Sequence, residues 1–309
     1  MSSYKPTVAI LGATGALGVP IIRALISEPF ISNYTLPIRV VTRSPDKIKS
    51  QIAAGPDAIK FVSADVVTGA GLAEVFDGVD VVINVLGFGV CDHNKIADAV
   101  AAAHVKLYIP SQFGADFDLA GPYQPIFAAK ENYLEHIKSL GLKYTDIFTG
   151  TFAEVMFTMP ALGGVNFPEP GKLQYYDNFD FERRVTSLDD VGKAVASVVA
   201  KDPATIPPKI YISGGVLSPR IIAQLYKKFT GKELEPVSLP LESIKGPALK
   251  VAQAGVTNMD DFFVGLKGAF YDGALEFTPT ENDFVSEGVF EFTPIEEVAK
   301  KVLTTPTEH

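Results

Sequence analysis

The chain has 309 residues, 47% of them hydrophobic, which is enough for a sizeable core in one or two domains. Its net charge of −9, with no run of lysine or arginine, argues against a nucleic-acid partner and against attraction to an anionic membrane surface. A single cysteine, Cys91, excludes an internal disulfide and suits a reducing, cytoplasmic setting, and an oligomer stays open. The opening Met1-Ser2-Ser3-Tyr4-Lys5-Pro6 does not read as a signal peptide. No stretch reaches the roughly 18 apolar residues of a membrane span.

The first element is an apolar run, Thr7–Leu11, followed by Gly12-Ala13-Thr14-Gly15-Ala16-Leu17-Gly18 and an apolar helical pattern through Ile21, Ile22 and Leu25. This reads as strand, tight turn and helix. Gly12 lets the chain turn sharply, Gly15 leaves room for a diphosphate, and Gly18 lets the helix pack close to the strand. The diphosphate would meet free N–H groups at the positive end of the helix. The bland reading is an ordinary strand-to-helix turn, and the flanking strand and helix favour a dinucleotide site over it. Further strands are expected at Ile38–Thr42, Ile59–Ser63, Val79–Val85, Lys106–Ile109 and Tyr144–Phe148. Helices are expected near Ala16–Ser27, Pro45–Ala54, Gly71–Phe76, Asn94–Ala103 and Ile126–Leu140. Apolar strands alternating with helices predict an α/β fold, a doubly wound parallel sheet of order 3-2-1-4-5-6, the NAD(P)-binding Rossmann fold.

In such a sheet, ligands bind at the carboxyl ends of the strands. The second strand is followed by Arg43, Ser44 and Lys47, where an NAD enzyme usually has an acidic residue. The planar guanidinium suits a 2′-phosphate, so NADPH is expected rather than NADH. Against this, Arg43 could be a solvated charge and Ser44 a helix cap. Asp65, after the third strand, can reach an adenine edge or cap the next helix. Gly87 and Gly89, after the fourth, permit backbone close to a ribose, and Phe88 could wall a pocket. Cys91, Asp92 and His93 fit no zinc spacing and read as a polar helix start. His104, His136 and His309 read as solvated. After the fifth strand come Ser111, Gln112 and Phe113, and then a helix with the apolar stripe Ile126, Phe127, Tyr133, Leu134 and Ile137. Lys130 falls inside that stripe. It either snorkels to water or reaches the cofactor ribose and the substrate, where partial burial would lower its pKa and fit it for proton transfer.

Four segments together carry a resemblance: Gly12 to Gly18; Val81-Val82-Ile83-Asn84-Val85-Leu86-Gly87; Leu107-Tyr108-Ile109-Pro110-Ser111-Gln112-Phe113-Gly114-Ala115-Asp116; and Phe127-Ala128-Ala129-Lys130. They resemble the isoflavone reductase-like, NmrA-like branch of the atypical short-chain dehydrogenases, well over roughly the first half of the chain and loosely beyond it. The resemblance implies an NADPH-dependent reductase of aromatic ketones, enones or benzylic ethers, with Lys130 at the position of the branch's catalytic lysine. Two positions depart from familiar patterns. Gln112 stands where the branch has glutamate, and Ile126 where ordinary short-chain dehydrogenases have tyrosine, a tyrosine this branch commonly lacks. NmrA-type regulators, which bind a dinucleotide without turning it over and act on a protein partner, share much of the pattern and form the alternative reading.

After the sixth strand, Gly150 to Pro160 includes Phe152, Met156, Phe157 and Met159, which could line an aromatic pocket or simply pack a core. Tyr175, Tyr176 and Phe179 are expected in a hairpin. Ser187 and Asp190 predict a capping box for a helix to about Ala200, and Lys209–Ser213 a last sheet strand. Ser218-Pro219 opens another helix, Glu235–Leu239 is a short strand, and Thr293-Pro294-Ile295-Glu296 predicts the start of the final helix. Phe262, Phe263 and Phe270 could close over the cleft. The expected division is a dinucleotide domain of residues 1–150 and 185–215, with a smaller, mainly α substrate lobe of 151–184 and 216–309. The residues assigned to the cofactor are Gly12, Thr14, Gly15, Ala16, Leu17, Gly18, Arg43, Lys47, Asp65, Gly87, Ser111, Phe113, Lys130 and Phe152. Lys130 is also assigned the catalysis, and no metal is expected.

Overall fold

The structure, a computed structural model, describes residues 4–52, 55, 57–158 and 171–305. The expectations placed on Met1 to Ser3, Ala53 and Ala54, Met159 and Pro160, and His309 lie outside the described residues. Strand β1 (Thr7–Leu11) is the centre of the sheet. Its side chains alternate between two cores, Val8 and Ile10 facing one and Ala9 and Leu11 the other, and all four are fully buried. A strand apolar on both faces needs cover on both, and helices supply it. Helix α1 (Gly18–Leu25) lies on the first face. Helices α2 (Pro45–Lys49), α3 (Leu72–Phe76), α4 (His93–Ala102) and α5 (Ala128–Ser139) follow in sequence, with α3, α4 and α5 feeding the second core.

The parallel order is β3 (Ile59–Val62), β2 (Thr35–Val41), β1, β4 (Val81–Asn84) and β5 (Leu107–Ile109). A parallel bridge from Tyr108 to Tyr144 carries the sheet on to β6 (Asp146–Phe148), which pairs with β10 (Lys209–Tyr211). This is the predicted 3-2-1-4-5-6 order with the predicted last strand beside it. The first core is closed by α7 (Leu188–Val199), which packs against α1. That contact is close because Gly192 has no side chain: a Cβ there would lie 2.6 Å from the Pro20 carbonyl oxygen.

The rest of the chain builds smaller units beside the sheet. Strands β11 (Gly215–Leu217), β9 (Arg183–Thr186) and β7 (Thr151–Phe152) form one small sheet, and α6 (Val155–Thr158) follows β7. Strand β8 (Lys172–Tyr176) pairs in parallel with β12 (Glu235–Leu239). The expected hairpin at Tyr175 and Tyr176 is therefore replaced by a long-range pairing, which local turn signals cannot reveal. Helices α8 (Pro219–Thr230) and α12 (Ile295–Thr304) close a third core. Helices α9 (Glu242–Ala254) and α10 (Met259–Tyr271) close a fourth around Tyr123, Ile126 and Phe127, and α11 (Asn282–Ser286) returns Val285 to the first.

Four helix starts differ from expectation. Helix α1 begins at Gly18 because residues 13–17 are used in two consecutive tight turns. A 3₁₀ stretch, Gly121–Phe127, precedes α5, with Pro125 inside it. Ser187 does cap α7, accepting from the Asp190 N–H at 3.0 Å, but the Asp190 carboxylate turns away to the Thr293 N–H at 2.8 Å and to Thr293 Oγ1. Thr293 thus ties the start of α12 to α7 instead of capping its own helix. The α1–α7 contact yields a first prediction. Gly192→Ala should lower the unfolding free energy by about 1–3 kcal/mol through overpacking, read by urea denaturation, and an unchanged midpoint would mean the helices have slack there.

Candidate active site

At Gly12 the chain leaves β1 with φ +88°, and a Cβ would lie 2.7 Å from the Val85 carbonyl carbon just past β4. Neither the conformation nor the space admits a side chain. The Gly15 N–H donates to the Gly12 carbonyl at 3.0 Å, and the Gly18 N–H to the Gly15 carbonyl at 3.2 Å. A Cβ on Gly18 would sit 2.5 Å from the Ala13 backbone, so this glycine packs the helix onto the turn itself. Thr14, Gly15 and Ala16 are exposed, and the amides of Thr14, Ala16 and Leu17 are left free to meet a ligand. No acidic side chain stands in the first turn of α1, so its positive end is uncompensated. The turn fits a bound anion.

Arg43, just after β2, is exposed. It faces Asp65 after β3, whose carboxylate is held below its usual range first by the Val67 N–H and by Thr68, with a smaller pull from Arg43. Asp65 Oδ1 accepts from Val67 at 2.9 Å and shapes its own loop. It does not cap α3, whose N-cap is Gly71. Lys47 is exposed on α2. Ser44 is the N-cap residue of α2 but makes no capping bond with its side chain.

The end of β4 carries a buried polar network that the sequence reading missed. Asn84 donates to Tyr108 Oη at 3.0 Å and lies 3.2 Å from His93 Nδ1, and the Tyr108 and Tyr133 hydroxyls share a short bond. With Nδ1 accepting, His93 Nε2 donates to the Gly87 carbonyl at 3.3 Å. Burial pushes the His93 pKa down, so the ring is neutral. His93 is thus more than a polar helix start, which is the role Asp92 fills by capping α4. Its ring stacks on Phe88 at 4.5 Å and fixes the Gly87–Phe88 loop. Ser111 Oγ donates to the Leu86 carbonyl at 2.7 Å and ties the end of β5 to the same loop. The one available signal was Asn84, a polar residue closing an apolar strand.

Lys130 is the third residue of α5. Its Nζ lies 5.0 Å from the Phe88 ring centroid and 5.1 Å from that of Phe117, between two aromatic faces. Burial pushes its pKa down to about 8, opposed by the negative charge of Asp146. Its backbone carbonyl accepts from Gln112 Nε2 at 3.1 Å. An amide can make that bond and an ionised glutamate cannot, which gives the substitution at this position a local reason. Lys130 opens into a cavity of about 300 Å³, walled by Phe113, Phe117, Phe152, Phe262, Phe263, Phe270 and Phe277 with Val155, Leu266 and Leu275. Thr151, Arg184 and Glu276 add polar edges. Arg184 Nε donates to the Phe277 carbonyl at 2.6 Å, and its N–H to Glu276 at 3.1 Å. The sequence reading missed Arg184 and Glu276 because they come from segments far apart in the chain. Of the assigned residues, the structure gathers Gly12 to Gly18, Gly87 and Ser111 at one end of the sheet, and Phe113, Lys130 and Phe152 around the cavity.

The profile of the NmrA-like family matches residues 4–280. The chain belongs to the NmrA-like family. An isoflavone reductase homolog of Zea mays is 28% identical over 254 residues, 79% of this chain and 81% of that protein. Pinoresinol reductase 1 of Arabidopsis thaliana is 27% identical over 288 residues, 88% of each. Among solved structures, the binary complex of leucoanthocyanidin reductase with NADPH from Vitis vinifera has a TM-score of 0.75 at 16% identity, covering 97% of this chain and all of that one. The last likeness establishes a shared fold. Among the described residues, no helix is long and apolar enough to cross a membrane.

In this NmrA-like chain the lowered pKa of Lys130 links the site to stability. The unfolded lysine keeps its proton to above pH 10, whereas the folded one releases it near pH 8. Between those values the unfolded state binds more protons, so the native chain gains stability as pH rises. At neutral pH, burying the ammonium opposes folding. Lys130→Met should therefore be more stable than the native chain at neutral pH by about 1–3 kcal/mol, with the difference shrinking above the folded midpoint. Denaturant titrations at the two conditions test it, and a gap that ignores pH would show that the ammonium is well hydrated.

Proposed function

We propose that the chain is an NADPH-dependent oxidoreductase of the atypical short-chain dehydrogenase type, reducing a small apolar aromatic ketone, enone or benzylic ether. The observation that carries this reading is Lys130, held between Phe88 and Phe117 at the wall of a phenylalanine-lined cavity. The reductase names of relatives at 27–28% identity support it, as does the NADPH complex of a protein of the same fold. The free amides at Thr14, Ala16 and Leu17 would hold the diphosphate, and Arg43 the 2′-phosphate with Lys47 nearby. Asp65, Gly87 and Ser111 would line the nucleoside sides. When bound, the dinucleotide supplies a hydride to the substrate. Lys130 orients the ribose and gives a proton to the oxygen on which charge develops, and Phe113, Phe152, Phe262 and Phe270 exclude water from that exchange. In this reading residues 151–184 and 216–309 form the substrate lobe over a dinucleotide domain of 1–150 and 185–215, in a reducing, cytoplasmic setting. The regulator alternative needs no open cavity beside the lysine, and the open cavity favours the enzyme.

Two measurements test the reading. Arg43→Ala should weaken NADPH binding by roughly one to two decades while NADH binding barely moves. Fluorescence titration with both cofactors checks this, and equal losses would remove Arg43 from the phosphate. Lys130→Met should slow single-turnover NADPH oxidation by about 10²–10⁴-fold while costing little NADPH affinity. The substrate is the best of a panel of aromatic ketones, enones and benzylic ethers. A native chain that binds NADPH tightly but oxidises it with no member of the panel would return the regulator reading to first place.

A further inference from the structure

A second cavity, only about 20 Å³, shares Lys130 and Phe117 with the aromatic one. Its character is opposite, since its other walls include Asp116, Asp118, Glu131 and Asp146. Asp146 is fully buried on β6, and both of its carboxylate oxygens lack a hydrogen-bond partner. Oε1 of Glu131 is buried in the same condition. A buried carboxylate with no donor is costly, so Asp146 has to be protonated, hydrated or both. The cavity is large enough for one water and polar enough to bind it.

The neighbouring charges leave Asp146 free for this role. Lys209 faces it from β10 but is engaged by Asp116 and Asp118 at 2.7 Å each, and Asp116 also takes the Tyr211 hydroxyl. Burial presses its pKa up most, Lys209 and Lys130 pull it down, Asp116 and Asp118 add to the rise, and Tyr108 and Tyr144 feel its charge from β5 and the bridge to β6. The Lys130 ammonium lies against the Phe88 and Phe117 rings, at the wall the two cavities share. Once substrate and dinucleotide fill the aromatic cavity, its phenylalanine walls leave that side dry. A lysine that has given up a proton then needs another way to regain it.

We propose, building on the reductase reading above, that the small cavity holds a water through which Asp146 returns a proton to Lys130 between turnovers. Delivery from the ammonium to the substrate oxygen breaks one N–H bond, forms one O–H bond and leaves a neutral amine. The Asp146 carboxylic acid gives its proton to the water, and the water passes one of its own to the amine. The net change is a carboxylate at Asp146 and an ammonium at Lys130, with no electron transferred. Bulk water then restores Asp146 past the exposed Asp118.

Rapid mixing of the full chain with NADPH and its best substrate separates the first turnover, which starts with Lys130 charged, from the steady state, which needs the return. In the native chain the steady-state rate should fall as pH rises above about 7, the point to which burial pushes Asp146, and the first turnover only above about 8. In Asp146→Asn the steady state should slow ~10-fold or more beyond any loss in the first turnover, leaving a burst of about one NADPH per chain. Equal losses in both phases would make Asp146 a structural residue and overturn the relay. If the variant does not fold, the native pH profiles decide, since coincident limbs overturn the relay on their own. A native chain inert with every substrate would instead remove the reductase reading, a different failure from an active enzyme without a burst.

Discussion

The constraint on which the rest of the site depends is the approach of the Gly12 backbone to Val85, where no Cβ fits. It fixes the path by which the chain leaves the central strand, and hence where α1 begins and where its free amides face. The same contact holds the turn against the end of β4, so the Leu86 carbonyl is in place for Ser111 and the Gly87–Phe88 loop follows at a set distance. His93 and Asn84 then lock that loop from behind, and Phe88 presents its face to Lys130. A glycine at one strand end thereby decides the surroundings of a lysine on a distant helix.

Lys130 occupies a site that opposes folding and suits chemistry. Two aromatic faces attract its cation but replace few of the hydrogen bonds lost from water, so its pKa falls toward neutrality. The cost is sustained by the surrounding packing, because Tyr133 and Ile137 anchor α5 in the second core while Ile126 and Phe127 seat its approach in the fourth. Both anchors flank the lysine and fix the backbone that carries it.

The cavity is a product of two bodies of packing. One wall belongs to the sheet ends and β7, and the other to α10 and the segment Leu275 to Phe277. Helix α10 comes in close because Gly265 and Gly268 face Ile126 and Ala248, where a Cβ would overlap both side chains. The aromatic lining is therefore held by helix contacts on its far side, and Arg184 and Glu276 meet at its edge only because β9 and that segment are brought together.

Local pattern alone determined the Rossmann sheet, its strand order and the glycine turn, and marked Lys130 as a charge inside an apolar stripe, because each rests on the period of apolar residues or on the needs of one turn. The cap at Ser187, the strand at Glu235–Leu239 and the helix at Ser218-Pro219 were legible for the same reason. Tertiary structure alone decided the pairing of β8 with β12, the turning of Asp190 toward Thr293, the histidine network behind Phe88 and the isolation of Asp146. Each joins residues that are far apart in the chain or leaves a polar group without the partner its type would seek. No local period encodes such relations. A carboxylate on an apolar strand looks the same in sequence whether it is paired or stranded, and only the surrounding packing tells the two apart.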